Sequence, residues 1–187
     1  MRKGKLVVVS GPSGVGKDTV VSEYLKLHPE DKLSISMTSR PMREGDIEGV
    51  SYYFKTKEEF EEEVKKGNLL EYATYHGNYY GTPKSEVLKR LDDGINVILV
   101  IEVQGARNIK NMLGDDVLLI FVLPPSLDSL RERLIKRGNT SLEAINERIE
   151  IAKKEIEVSD FYDYKIINDN LEDAVKSLEN IIKNNIK

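Results

Sequence analysis

The order of apolar and polar residues predicts short buried strands that alternate with amphipathic helices. Residues 5–10, 97–101 and 117–122 are continuous apolar runs rich in valine, leucine and isoleucine, which is typical of strands buried on both faces. Residues 164–167 predict a last short strand. Strands that alternate with helices indicate an α/β fold with a central parallel sheet flanked by helices.

Apolar residues at helical spacing predict the helices between these strands. The first helix stops before Pro29, and Ser126 is a candidate N-cap for a later one. The apolar stripes are Val20, Val21, Tyr24 and Leu25; Leu127, Leu130 and Leu134; Ile145, Ile149, Ala152 and Ile156; and Leu171, Val175, Leu178 and Ile182.

The segment from about residue 36 to 83 interrupts this alternation, because it is dense in glycine, tyrosine, threonine and charge. Residues 52–55 and 69–75 have a β-like composition. Between them, residues 56–59 have the Thr-x-x-Glu spacing of a capping box, and Gly67 is a helix stop signal. We expect a small mixed α/β insertion, which is either a decorative subdomain or a ligand-binding one.

Composition narrows the class of protein. The 187 residues are 40% hydrophobic and 32% charged, which suits one folded domain, and no apolar run is long enough for a signal peptide or a membrane span. The chain has no cysteine, so disulfides and thiolate metal sites are excluded and a cytoplasmic protein is expected. A net charge of -4 argues against nucleic-acid binding. His28 and His76 have no partner cluster and receive no role.

A glycine-rich segment lies between the first predicted strand and the first predicted helix. Residues 11–17, Gly-Pro-Ser-Gly-Val-Gly-Lys, match the core of a phosphate-binding loop, in which backbone N–H groups, the helix N-terminus and Lys17 face one anion. Asp18 occupies the position where this motif normally has the Ser or Thr that meets magnesium, and Thr19 follows one residue later. We predict a phosphate site, with a purely structural turn as the alternative. Asp18 is either part of this site or only a favourable charge at the helix N-terminus.

Further motifs follow in order along the chain. They are Ser36-Met37-Thr38-Ser39-Arg40-Pro41-Met42-Arg43, Gly45-Asp46, Gly49, Tyr52-Tyr53-Phe54, Glu71-Tyr72-Ala73, Gly77-Asn78-Tyr79-Tyr80-Gly81-Thr82-Pro83, Glu102-Val103-Gln104-Gly105-Ala106 and Asn168-Asp169. Together with the phosphate loop, they make the chain resemble the guanylate kinases over nearly its whole length. The resemblance implies a P-loop kinase that converts ATP and GMP to ADP and GDP with Mg²⁺.

The resemblance also implies an organisation within one domain, residues 1–187. The core, with its parallel sheet and flanking helices, would comprise about residues 1–35, 84–132 and 150–187. A small mixed α/β GMP-binding insertion would span about 36–83, and a helical lid about 133–149. The oligomeric state, monomer or homodimer, stays open.

By the same resemblance, individual residues receive roles. The ATP-binding residues would be Gly11, Pro12, Ser13, Gly14, Val15, Gly16, Lys17, Asp18, Thr19 and Asn168, with Thr19 meeting magnesium directly or through water. The GMP-binding residues would be Ser36, Arg40, Arg43, Tyr52, Glu71, Tyr80, Gly81, Thr82 and Glu102. The catalytic cations would be Lys17, Arg43, Arg133, Arg137 and Arg148.

The residue types of the insertion fit this chemistry independently. Arg40 and Arg43 are close enough to converge on one phosphate. Both could instead be exposed loop arginines paired with Glu44, Asp46 and Glu48. The Glu71 carboxylate can accept hydrogen bonds from the N1–H and N2–H donors of guanine, which adenine lacks. A hydroxyl such as that of Thr82 can donate to guanine O6. If Glu71 were only a surface charge, AMP and GMP would be treated alike.

The remaining candidates follow strands or lie on the predicted lid. Glu102 directly follows the strand at 97–101, as a Walker-B-like acid does, but Val100 replaces a second acid that relatives commonly carry. Gly105 would bring the next helix close to the nucleotides. Asn168 would contact adenine or simply end the last strand. The lid arginines match the family in their spacing to Gly138 and to the turn at 139–143, but each could be a solvated helix residue.

Three functions remain open from the sequence. The first is a guanylate kinase enzyme. The second is a guanylate-kinase-like binding module that has lost catalysis, against which the intact Gly16, Lys17 and Thr19 argue. The third is a nucleotide-regulated switch or another monophosphate kinase, which Glu71 and a need for an acceptor nucleotide would distinguish.

Overall fold

Strands and helices alternate along most of the chain in the computed structural model, which describes residues 3–75, 77–138 and 141–186, with only the backbone of Tyr75. The elements in this part of the chain are β1 (Leu6–Ser10), α1 (Lys17–Leu27), β2 (Lys32–Leu33), β3 (Met37–Thr38), β4 (Tyr53–Phe54), α2 (Lys57–Lys65), β5 (Leu69–Tyr75), β6 (Asn78–Pro83), α3 (Lys84–Asp92), β7 (Val97–Val100), α4 (Val103–Leu113), β8 (Val117–Leu123), α5 (Leu127–Lys136), α6 (Leu142–Glu157), β9 (Tyr164–Ile167) and α7 (Leu171–Asn185). Two short 3₁₀ turns, Gly114–Asp116 and Ser159–Phe161, precede β8 and β9.

The apolar runs form a five-stranded parallel sheet in the order β2-β7-β1-β8-β9. Successive residues of β1 point to opposite faces of the sheet. Val7 and Val9 pack in one apolar cluster with residues of α1, α5, α6 and α7, whereas Leu6 and Val8 pack in a second cluster with residues of α3 and α4. Because both faces are covered, the strands need apolar side chains on both sides, which explains their continuous apolar sequences.

The insertion forms a second sheet of four short strands in the order β4-β3-β6-β5. The β3 and β4 strands are parallel, and β6 pairs antiparallel with both β3 and β5. Helix α2 lies against this sheet, where Phe60 is buried and stacks on Tyr79 with 5.3 Å between ring centroids. The predicted capping box of α2 is present, since Thr56 Oγ1 accepts from Glu59 N–H at 3.1 Å and Glu59 Oε2 accepts from Thr56 N–H at 2.8 Å.

The predicted central parallel sheet flanked by helices is confirmed. The sequence did not predict α3, nor the short strands β2, β3 and β6, because these segments mix polar and apolar residues and gain order from sheet pairing or packing. Within the described residues, no helix combines the length and the apolar character needed to cross a membrane. His76 and the first two residues of the turn at 139–143 lie outside the described part of the chain.

Candidate active site

The phosphate loop leaves the C-terminal end of β1, at the centre of the parallel sheet. Gly16 is the N-cap of α1 and has a φ of 93°, a left-handed conformation that favours glycine. The first turn of α1 therefore has N–H groups that no N-cap side chain covers, which is the arrangement that binds anions. Lys17 is the first residue of the helix and is only 8% exposed, so its charge is held close to the loop.

Two side chains from later in the chain donate hydrogen bonds to a backbone carbonyl of this loop. The Asn168 side-chain amide donates to the carbonyl of Val15 at 2.8 Å. The Arg133 guanidinium donates to the same carbonyl at 3.2 Å and to the carbonyl of Asn168 at 2.8 Å. A Cβ at Gly16 would lie 2.6 Å from Asn168 Nδ2, so this close packing requires glycine. In this structure both side chains therefore brace the loop; their predicted contacts with ATP stay predictions.

A cleft of about 280 Å³ separates the phosphate loop from the insertion. It brings Lys17 and Asp18 together with most of the predicted GMP-binding residues, although these are far apart in the sequence. Its walls are formed by Lys17, Asp18, Ser36, Tyr52, Glu71, Ala73, Tyr80, Gly81, Val100, Ile101, Glu102 and Gly105.

Glu71 is a buried carboxylate in this cleft, at 7% exposure. Burial raises its pKa above the ordinary value, and a hydrogen bond from Thr82 partly opposes this shift. Thr82 Oγ1 donates to Glu71 Oε1 at 2.7 Å, so in this structure the hydroxyl predicted to meet guanine O6 is directed at the carboxylate. Helix α4 approaches from the other side: a Cβ at Gly105 would lie 2.7 Å from Glu71 Oε2. Glu71 is therefore held in a fixed, largely desolvated position.

Arg40 is also buried, at 8% exposure, and it has partners from its own loop. Its guanidinium forms an ion pair with Asp46 at 2.9 Å and donates to the carbonyl of Pro41 at 2.8 Å. It also lies over the rings of Tyr52 and Phe54, with 5.3 and 5.6 Å to their centroids. The pairing with an acid of the loop matches the alternative interpretation of Arg40, but the buried, ring-stacked position does not match an exposed loop arginine.

Asp46 also organises the loop that carries Arg43. The Arg43 backbone N–H donates to Asp46 Oδ2 at 2.8 Å, and this bond, followed by the Arg40 guanidinium, lowers the Asp46 pKa. The side chain of Arg43 is exposed and is not among the residues that line the cleft. Tyr52 and Tyr80, which do line it, meet edge to face with 6.0 Å between ring centroids.

A second cavity of about 390 Å³ lies on the other side of the phosphate loop. Its walls are formed by Gly14, Val15, Gly16, Thr19, Arg133, Lys136, Arg137, Asn168, Asp169 and Leu171. The predicted catalytic cations are therefore divided in this structure. Lys17 lies in the main cleft, Arg133 and Arg137 line the second cavity, and half-buried Arg148 is in neither set of lining residues.

One acidic residue near the loop was missed by the sequence analysis. Glu155 of α6 is half-buried, and burial raises its pKa to about 7, with a further contribution from Glu102 and an opposing one from Lys17. A usable signal exists in the sequence, because Glu155 lies at helical spacing from Arg148 and Ala152, on the inward side of α6. The apolar stripe of α6 and Arg148 were identified, but the acid two turns further along the same face was not.

Comparison with known proteins identifies the family. The family model for guanylate kinase matches residues 3–185. The guanylate kinase of Clostridium perfringens (strain 13) is 48% identical over 180 residues, covering 96% of this chain and 83% of that protein. The guanylate kinase of Streptococcus pyogenes serotype M3 is 50% identical over 183 residues, covering 97% and 86%. The crystal structure of guanylate kinase from Anaplasma phagocytophilum has a TM-score of 0.81 at 32% identity, covering 100% of this chain and 88% of that one. The chain belongs to the guanylate kinase family.

Proposed function

We propose that this protein transfers the γ-phosphoryl group of ATP to GMP and so forms ADP and GDP. The observation that carries this proposal is the single cleft in which the phosphate-loop lysine, Lys17, faces the buried carboxylate of Glu71. One wall suits a triphosphate, and the opposite wall suits a base with paired N–H donors. Family membership supports the same reaction.

Base selection would depend on the Glu71 carboxylate. Guanine N1–H and N2–H would donate to its two oxygens, which replaces the hydration that burial has removed. Adenine offers an unprotonated N1 at the same edge, so the buried carboxylate would not gain the paired N–H donors and would keep only the Thr82 hydroxyl. Thr82 holds one oxygen of Glu71 through its hydroxyl and could turn toward guanine O6 when the base supplies new donors. Ser36 and Gly81, which also line the cleft, would complete the pocket.

The GMP phosphate would be bound by Arg40 and Arg43, with the hydroxyls of Tyr52 and Tyr80. Guanidinium groups suit this role because they donate two parallel hydrogen bonds to phosphate oxygens. Arg40 is already fixed by its stacking on Tyr52 and by its ion pair with Asp46. Arg43 would reach the phosphate only after a rearrangement of its exposed loop. Glu102, on the core side of the cleft, would contact the guanosine.

ATP would occupy the phosphate loop, residues 11–19, with its base near Asn168. The described residues contain no cluster of three acidic or histidine side chains that could hold a metal by themselves. This fits Mg²⁺, which keeps several waters and binds mainly through substrate phosphates. Thr19 Oγ1 is the protein oxygen we assign to it, directly or through water. When bound, the ion would neutralise charge on the transferred phosphoryl group.

The chain's own residues would align the reactants and neutralise charge. A GMP phosphate oxygen is already a nucleophile, so no protein base is required. Lys17 would stabilise the negative charge that spreads over the transferred group. Arg133, Arg137 and Arg148 would add positive charge when the lid, about residues 133–149, closes and expels water. Arg133 is already joined to the phosphate loop through the Val15 carbonyl.

The proposed division of the domain follows from these roles, with a core that binds ATP, an insertion at about 36–83 that binds GMP, and the lid. We also propose that the protein acts in the cytoplasm, where ATP and GMP are both present. The net charge of -4 favours small phosphate ligands gathered by local cations over nucleic acid.

A panel of nucleoside monophosphates, each assayed with ATP and Mg²⁺ for ADP release, tests the reaction. We expect kcat/KM for GMP to exceed that for AMP by about 10⁴-fold, because AMP does not supply the paired N–H donors that the buried carboxylate would accept. Equal use of AMP and GMP would contradict the assignment. ADP release without any acceptor would indicate a nucleotide switch, and the absence of any turnover would indicate a binding module.

A further inference from the structure

Asp18 is a charged residue of the main cleft whose side chain the proposed reaction does not use. As the second residue of α1 (Lys17–Leu27), it has a backbone N–H in the first turn of the helix, next to the phosphate loop, whereas its side chain lines the cleft. The carboxylate is exposed and forms no ion pair or hydrogen bond within the described part of the chain. Its acceptor sites are therefore free for a ligand in the cleft.

A further cavity, of about 420 Å³, adjoins the main cleft. The main cleft alone, at about 280 Å³, is slightly smaller than the pockets of about 300–1,000 Å³ that usually hold small ligands, so a nucleotide needs part of the adjoining space. The residues that line both spaces form what we call the junction: Asp18, Ser36, Tyr52 and Val100. Asp18 is the acidic residue among them, and the others offer hydroxyl groups or an apolar surface.

The proposed position of GMP brings its sugar to this junction. Ser36 is assigned to the base and Tyr52 to the phosphate, and the ribose is the part of the nucleotide that joins the two. Because both residues line the junction, the ribose would lie between them, beside Asp18. Burial is the main cause of the raised pKa of Tyr52, and the negative charge of Asp18 adds to it, which agrees with a short distance between the two side chains.

A carboxylate suits the two neighbouring hydroxyls of a ribose. Its two oxygens accept one hydrogen bond each, and bonds from a hydroxyl to a charged oxygen are short and strong. An acid in this role also binds the ribose 2′-hydroxyl in many dinucleotide sites. The other acids of the cleft, Glu71 and Glu102, do not line the adjoining cavity. We propose that Asp18 binds the ribose hydroxyls of GMP and makes the site selective for GMP over its deoxy forms. This inference rests on the proposed function, because it takes GMP as the acceptor.

The test compares kcat/KM for GMP, 2′-deoxy-GMP and 3′-deoxy-GMP at saturating ATP and Mg²⁺. In wild-type protein we expect each deoxy form to be used about tenfold less well than GMP, because it lacks one hydrogen bond to a charged acceptor that water can still reach. In Asp18→Ala the values for the three substrates should become about equal, mainly through a loss for GMP. A role in helix stability alone would not change this ratio.

Two further variants and a binding measurement complete the test. Asp128→Ala is the matched control, because Asp128 is also an exposed acid in the first turn of a helix, α5, but lines neither space. We expect it to keep the wild-type ratio. Asp18→Asn keeps the size of the side chain and one neutral acceptor, so its preference for GMP should fall to about threefold. Titration calorimetry with GMP and 2′-deoxy-GMP in the absence of ATP measures the same preference without turnover.

The possible outcomes separate this inference from the proposed function. If wild-type protein phosphorylates GMP and both deoxy forms equally well, the inference is wrong and the proposed function stands. If Asp18→Ala loses activity with all three substrates in proportion, Asp18 does not select the sugar, and the inference is again wrong. Were Asp18→Ala not to fold, an unchanged ratio in Asp18→Asn would overturn the inference. If wild-type protein does not phosphorylate GMP, the proposed function fails, and equal affinities for GMP and 2′-deoxy-GMP would then overturn the inference as well.

Discussion

The two walls of the cleft are built in different ways. The phosphate loop is one continuous segment, residues 11–17, that leaves a strand buried on both faces and is held through the backbone carbonyl of Val15. The opposite wall, which we propose to bind guanine and call the guanine wall, takes Glu71 and Thr82 from neighbouring strands of the insertion and Gly105 from a core helix. Here the contacts join residues from separate elements of the chain.

This difference bears on how each wall receives its ligand. The first turn of α1 has N–H groups that no N-cap side chain covers, so an anion can bind without displacing a protein group. On the opposite wall, the Thr82 hydroxyl is directed at Glu71 and the Arg40 guanidinium is paired with Asp46. A ligand must replace or share those bonds with groups of matching geometry, so we expect this wall to select its ligand more strictly.

The largest expected effect comes from removing the lysine charge of the phosphate loop. Lys17→Ala should lower kcat for GMP phosphorylation by about 10³-fold or more, since it removes the charge that stabilises the transferred phosphoryl group. Steady-state assays with saturating ATP and GMP measure this loss. Lys26→Ala is the control, because Lys26 is an exposed residue of the same helix that pairs with Glu23, and it should retain wild-type activity. Near-normal turnover of Lys17→Ala would mean that another phosphate site performs the reaction.

A smaller effect, confined to one substrate, is expected from the guanine wall. Glu71→Gln should lower kcat/KM for GMP by about 10²–10³-fold and change the KM for ATP little, because an amide oxygen accepts only one of the two guanine donors. The matched control is Glu62→Gln, an exposed residue of α2 paired with Lys66. A parallel loss in ATP and GMP parameters would show that Glu71 supports the whole site rather than the base.

The same substitution has a pH signature. Burial raises the pKa of Glu71, and the contacts that we propose with guanine require the ionised carboxylate. In wild-type protein, kcat/KM for GMP should therefore fall as the pH drops through this raised pKa, at a higher pH than an ordinary glutamate would give. Glu71→Gln should lack this decline.

Sequence patterns were most informative where the structure is local or repetitive. The buried strands β7 and β8, the capping box at 56–59 and the loop-to-helix join at Gly16 each depend on a few neighbouring residues. Their physical cause is therefore present in the sequence itself, as apolar periodicity, a cap or a required glycine. The parallel sheet follows from the same periodicity.

Contacts between residues that are distant in the sequence were harder to predict from it. The residue types identified Glu71 and Arg40, and Asp46 was one of the acids named as alternative partners of Arg40. The hydrogen bond from Thr82 to Glu71 was not predicted. Glu155 was missed because its position is set by the packing of α6 against the core, which determines where an otherwise ordinary helix residue is buried. Charge compensation of this kind depends on tertiary geometry, which periodicity does not encode.

The smallest expected effect comes from a substitution at Gly105, which fills space beside Glu71 without altering any polar group. It tests whether the rigid packing of the guanine wall contributes to its selectivity. In Gly105→Ala, the added Cβ would lie 2.7 Å from Glu71 Oε2, so the carboxylate or the first turn of α4 must move. Overpacking of a fixed site costs about 1–3 kcal/mol, so we expect the KM for GMP to rise roughly tenfold with the KM for ATP nearly unchanged. Asn108→Ala, on the exposed face of α4, should leave both values as in wild type. An unchanged KM for GMP in Gly105→Ala would mean that Glu71 has room to adjust and that the rigidity of this wall does not contribute to its selectivity.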